Sequence, residues 1–166
     1  MTTVTVQGNP IRIGGTLPQP GEQAPDFRLI DRDLQERSLA DFAGRRKVIN
    51  VVPGLDTDVC AAQARRFNEE ARRLENATVL VVSADLPFTQ ARFADTEGTG
   101  DITTLSTVRS PEFAEAYGVR VAEGPLAGTC ARAVFVLDEH DVVVHAQLVP
   151  EIGEEPDYAA VLAALR

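Results

Sequence analysis

Two cysteines and two histidines in 166 residues leave little material for several common chemistries. A disulfide framework needs more thiols, and a zinc site built on two histidines would have to recruit carboxylates, which here show no ligand spacing. Lysine occurs once, at Lys47, beside abundant arginine and alanine, a bias that reads as base composition and carries no mechanism. Basic side chains are outnumbered, 16 against 25 acidic, and the net charge of −9 counts against binding a phosphate backbone. Nucleic acid is not an expected partner. No apolar run approaches the roughly 18 residues of a membrane span, and the N-terminus, MTTVTVQGNP, lacks the basic and apolar regions of a signal peptide. The expectation is a soluble, cytoplasmic protein without membrane contact. Gly98 and Gly100 are too sparse for a phosphate loop, and Asp138–Asp141 lacks the calcium-loop pattern. Neither a cofactor nor a metal is expected.

What is present fits one globular unit. A chain of this length buries roughly two-thirds of its unfolded surface, so a real core needs no staple, and residues 1–166 are expected to form a single domain. The stretch Val48–Cys60, VINVVPGLDTDVC, organises the rest. A β-branched run is cut by Pro53-Gly54, and Thr57 or Asp58 then offers a side-chain oxygen to cap a helix. Cys60 falls in the first turn of that helix. Unpaired N–H groups and the positive end of the helix dipole favour a thiolate there, where cysteines titrate at roughly 3.5 to 7.5.

Around this centre the chain reads in order. Residues 3–15 alternate β-branched and polar side chains about Gly8-Asn9-Pro10, the pattern of an N-terminal β-hairpin that decorates the domain. Short strands are expected at Asp26–Ile30 and Ile102–Thr107, buried ones at Val48–Val52 and Ala77–Ala84, and a closing hairpin at Arg132–Leu137 and Val142–Leu148. Helices are expected from Asp58 to about Leu74, from Pro87 to about Asp95, over Glu112–Tyr117, and after Pro156. The first is amphipathic, with Val59, Cys60, Ala64, Phe67, Ala71 and Leu74 on one face. Alternating strands and helices that close on a hairpin and a helix give the layout of a thioredoxin-like α/β sandwich, a central mixed sheet flanked by helices.

Pro53, Thr57 and Cys60 form P-x-x-x-T-x-x-C at the strand-to-helix turn. A thiolate that attacks a peroxide oxygen must be stabilised without being quenched, and the charge on the departing oxygen must meet fixed donors. A hydroxyl and an arginine suit that task. With VQGNP at 6–10, FAGRRKVIN at 42–50, LDTDVCA at 55–61, SADLPF at 83–88, GPLAG at 124–128, ARAV at 131–134, QLVPEI at 147–152 and EPDY at 155–158, nearly the whole chain resembles the bacterial thiol peroxidases, an atypical two-cysteine branch of the peroxiredoxins. The resemblance implies a thioredoxin-like fold, reduction of hydrogen peroxide and organic hydroperoxides, thioredoxin as reductant, and a homodimer. By motif position Cys60 is the peroxidatic cysteine, Thr57 its hydroxyl partner, Pro53 the shield, and Arg132 the guanidinium that orients thiolate and peroxide. Arg132 in an apolar strand also needs an anionic partner, which a thiolate would supply.

One departure stands out. Where the family carries its resolving cysteine, the chain has Ala94. The other cysteine, Cys130, would share a face with Arg132 if the strand already extends from it, since side chains alternate with period two. Cys130 then either resolves the Cys60 sulfenate in an intrachain disulfide or is a packing residue, with an external thiol reducing the sulfenate directly. A second class of function stays open beside the peroxidase, a redox sensor or binding module that uses Cys60 oxidation to switch partners.

Overall fold

In the computed structural model, which describes residues 2–166, strands β1 (Thr2–Val6) and β2 (Asn9–Gly14) form the N-terminal hairpin. Its turn lies at Gln7-Gly8, both at positive φ, so Asn9 and Pro10 belong to the second strand and not to the turn. The hairpin is also more than a decoration. Val4, Ile11 and Ile13 are buried in the larger of two core clusters, because β2 pairs with a two-residue strand, β8 (Arg120–Val121), that lies against the main body.

The main sheet has seven strands. In chain order these are β3 (Leu29–Ile30), β4 (Glu36–Arg37), β5 (Arg46–Val51), β6 (Ala77–Ser83), β7 (Thr103–Ser106), β9 (Ala133–Leu137) and β10 (Val143–Leu148), and in space they run β10-β9-β5-β6-β7-β3-β4. β5, β6 and β7 are parallel while β9 and β10 are antiparallel additions, so the sheet is mixed. The central strands are apolar on both faces, as sheets covered by helices on both sides require. Ile49 and Val51 of β5, Leu80 and Val82 of β6, and Ala133, Phe135 and Leu137 of β9 enter the first core cluster. Their alternates, Val48, Val79, Val81, Val134 and Val136, enter the second. The two clusters are therefore the two faces of one sheet.

Helices α1 (Asp58–Ala71) and α4 (Tyr158–Ala164) cover the second face through Cys60, Ala64, Phe67 and Val161, with Phe93 of α2 (Pro87–Glu97) packed at its margin. The first face is covered by the hairpin, Phe27, and α3 (Glu112–Ala116) with Tyr117, whose ring stacks on Phe113 at 4.5 Å between centroids. Lys47, the single lysine, is wholly buried on β5, where its ammonium donates to Arg45 O and pairs with Asp141 in the β9–β10 turn. Desolvation of both charges is offset by that pairing, which pins the turn to the sheet. Among the described residues no helix is long and apolar enough to cross a membrane.

Candidate active site

The end of β5 and the start of α1 deliver the site. Pro53 and Gly54 end the strand, and the Leu55 N–H donates to Asp85 Oδ2 at 2.9 Å, so the loop is fastened to the end of β6. Ser83 Oγ donates to the same carboxylate oxygen at 2.7 Å. Thr57 is the N-cap of α1: its Oγ1 accepts from the Cys60 N–H at 3.2 Å and donates to Gly54 O at 3.3 Å. Cys60 is thus the third residue of the helix, fully buried, with its side chain turned to the sheet.

Arg132 reaches the same point from the start of the neighbouring strand, β9. It precedes β9 by one residue and is 2% exposed. Its Nε donates to Ile152 O at 2.9 Å, Nη1 to Gln63 Oε1 at 2.7 Å, and Nη2 to Cys60 Sγ at 3.1 Å. Among the described residues no carboxylate stands within ion-pair distance of this guanidinium. The sulfur is the one partner able to carry a full negative charge. An apolar cleft of about 360 Å³ opens beside the pair, lined by Pro53, Thr57, Val59, Leu126, Arg132 and Ile152 among others, so that Arg132 faces it while the Cys60 sulfur lies buried behind the first turn of α1. Donors and a helix N-terminus converge at the floor, hydrocarbon forms the walls, and the arrangement can hold an anion-forming sulfur beside a small apolar molecule.

The comparisons with known proteins bear on this geometry. The redoxin family model matches residues 19–162. Thiol peroxidases from two serovars of Leptospira interrogans are 49% identical over 166 residues, covering 99% of this chain and 97% of theirs. The chain belongs to the thiol peroxidase family of redoxins. Among solved structures, a peroxiredoxin-like protein from Aquifex aeolicus superposes with a TM-score of 0.93 at 39% identity, covering 99% of this chain and 96% of that one. A thiol peroxidase from Chromobacterium violaceum gives 0.92 at 25% identity, covering 98% and 94%.

Of the residues singled out from sequence, Pro53, Thr57, Cys60 and Arg132 lie together. Cys130 does not join them. The strand begins at Ala133, and the preceding residues leave the alternation: Cys130 bridges to Arg120 and the Ala131 N–H donates to Val119 O at 2.8 Å. Both Cys130 and Ala131 consequently sit in the first core cluster, on the face of the sheet away from Cys60. Burial pushes the Cys130 thiol up to about 12. Ala94 is buried on α2.

Two further residues escaped the sequence reading. Gln63, one helical turn after Cys60, is fully buried, and its Nε2 donates to Asn50 Oδ1 of β5, also fully buried. Asn50, Gln63, Arg132 and Cys60 form one continuous chain of polar groups in an apolar layer. The i, i+3 spacing from the cysteine was the available signal, but amphipathic analysis ranks apolar residues and passes over a lone glutamine. The histidines lie away from this chain. His140 is exposed, and His145 on β10 is partly buried, which pushes its pKa down. Among the described residues no group of three histidine, cysteine or acidic side chains is placed to hold a metal.

Proposed function

We propose that the protein is a thiol-dependent peroxidase acting on hydrogen peroxide and organic hydroperoxides. One observation carries the reading above all others: a helix-terminal cysteine whose sulfur accepts a hydrogen bond from a buried, carboxylate-free arginine at the floor of an apolar cleft. Cys60 attacks one peroxide oxygen as the thiolate, the O–O bond breaks, and the departing oxygen leaves as water or alcohol after taking a proton. Sulfur is oxidised by two electrons to a sulfenic acid, and the peroxide is reduced by two. Arg132 supports both sulfur and departing oxygen with fixed N–H donors, and the Thr57 hydroxyl, held as a cap, supplies a donor that can turn from Gly54 O toward the peroxide. Pro53 closes one wall against water. The cleft walls favour an alkyl substituent over a polar one, in keeping with the family to which the chain belongs.

The cycle closes when a thiol donor of the thioredoxin kind returns Cys60 to the thiol, a supply that fits the cytoplasm. Residues 1–166 act as one domain in this reading, and two copies pair as a homodimer. Support for pairing comes from Leu86, Phe88 and Val108, which are exposed on the loops after β6 and β7 and the start of α2. Those loops are joined by the Thr107 N–H to Ser83 O hydrogen bond, so the apolar side chains share one end of the sheet. Cys60→Ser should lower peroxide consumption to background in the presence of thioredoxin and its reductase. Consumption at the parent rate would overturn the reading, and sedimentation equilibrium of the native chain tests the dimer.

A further inference from the structure

Resting on the peroxidase reading, we propose that the Cys60 sulfenate is resolved only in trans, by a thiol from outside the chain that enters through the apolar cleft, and that Cys130 takes no part in turnover. The chain holds two cysteines, so Cys130 is the sole internal candidate. A disulfide requires Cα atoms within about 7 Å and side chains that face each other. Here the central sheet stands between them. Cys60 packs with Ala64, Phe67, Val134 and Val136 under α1, whereas Cys130 packs with the residues of the other face. Arg132 touches Cys60 Sγ only with the end of its long side chain, through Nη2, and Cys130 lies two residues farther along a segment that packs into the opposite cluster.

Nor is that segment free to swing across. The Val121 N–H donates to Thr129 O at 3.1 Å, Gly128 N–H to Val121 O at 3.2 Å, and Ala131 N–H to Val119 O at 2.8 Å, so residues 128–131 are laced to the strand that carries the N-terminal hairpin. Unwinding the first turn of α1 would expose the Cys60 sulfur to the cleft, on its own face, without approaching Cys130. The burial of the Cys130 thiol adds chemical inertness to the geometric separation, because exchange requires the thiolate.

The step balances as follows. An external thiolate attacks the sulfenic sulfur, an S–S bond forms, and hydroxide leaves as water with the proton of the incoming thiol. A second thiol attacks the mixed disulfide, releases the Cys60 thiolate, and departs as an oxidised disulfide. The shared requirement is a thiol narrow and apolar enough to enter between Leu126, Val59 and Ile152, whether a low-mass compound or the cysteine of a protein dithiol.

The test uses the full reduced chain. One equivalent of hydrogen peroxide without added thiol should give the mass gain of a single oxygen on the Cys60 peptide, with Cys130 alkylatable after unfolding. Addition of 2-mercaptoethanol should then give its mixed disulfide on Cys60, and excess should restore the thiol. In parallel arms, turnover with 2-mercaptoethanol and turnover with thioredoxin and its reductase distinguish the two sources. Activity in either supports the inference, and recovery in neither overturns it. Cys130→Ser should keep the parent turnover in the arm that works. Loss of two hydrogens with a Cys60–Cys130 linked peptide, a pair of chains joined through Cys60 and Cys130, or loss of turnover in a Cys130→Ser protein with an unchanged melting profile overturns the inference while leaving the peroxidase reading intact. If Cys60 gains no oxygen and no peroxide is consumed, both fail together.

Discussion

Arg132 has three acceptors, and only the Cys60 sulfur among them can ionise, so the guanidinium's orientation matters as much as its charge. Gln63 sets that orientation by accepting from Nη1 at 2.7 Å while Asn50 fixes Gln63 in turn. Gln63→Leu should therefore lower the second-order rate of peroxide reaction about tenfold, equivalent to about 1.4 kcal/mol of barrier, as read by stopped-flow. It should also cost about 1–3 kcal/mol of stability, since two buried polar groups lose a partner. Arg132→Lys keeps the charge but not the planar fork, and should lower the rate by about 10²–10³. Thr57 caps the helix and, in the proposed reaction, offers its hydroxyl to the peroxide: Thr57→Ala should cost about 1 kcal/mol of capping and slow that reaction, and Thr57→Ser should restore both. These positions differ in how plainly the sequence declares them. Cys60, Thr57 and Pro53 are local, set by a strand end and a cap. Gln63 and Asn50 are defined by each other across two elements, and no periodicity of apolar residues marks a polar pair inside a core.

Among the elements, the central strands were legible as continuous apolar, β-branched runs cut by turn residues, and α1 by the 3.6 period of its apolar face. The failures lie at the ends. Extending the alternation of β9 backward to Cys130 placed that residue on the wrong face, since pairing to Arg120 replaces the strand register there. β8 has two residues and no period at all, yet it ties the hairpin to the body. Gly118, just before it, has φ 67 and a backbone so close to Leu17 that a Cβ would meet its nitrogen at 2.3 Å. Gly118→Ala should cost more than about 1–3 kcal/mol, the cost of the backbone strain alone, seen as a lower urea midpoint. At the other edge of the sheet, Asp31 accepts from the Gln35 and Asp33 N–H groups and from Arg37. Burial raises its pKa, but the Arg37 hydrogen bond and the two backbone donors outweigh burial and leave it below the usual carboxylate value. A depressed folded-state value means stability that is fully present above the unfolded value of about 3.9 and is lost as pH falls through the folded one. Asp31→Asn should flatten the loss of stability as pH falls below about 5 relative to the parent, measured by urea titration at each pH.

At the scale of the whole molecule the sheet acts as a partition. The polar chain of Asn50, Gln63, Arg132 and Cys60 lies on the face under α1 and α4, and the opposite face carries the hairpin, α3 and the aromatic stack of Phe113 and Tyr117, with Leu126 of the cleft wall packed against it. A cavity made on that second face, such as Phe135→Ala, should cost about 3–5 kcal/mol and lower the thermal midpoint. It should leave the peroxide rate of the folded fraction near the parent value, because none of the residues that hold Cys60 and Arg132 packs there. The acidic excess is likewise an attribute of the exterior, and one cation is withheld from it altogether. With its ammonium sealed between Arg45 O and Asp141, Lys47 presents no nucleophilic amine to solvent. Acylating reagents, amine-directed cross-linkers and enzymes that mark proteins at lysine find no accessible side-chain target on the folded chain, and rapid acetylation of Lys47 would report unfolding.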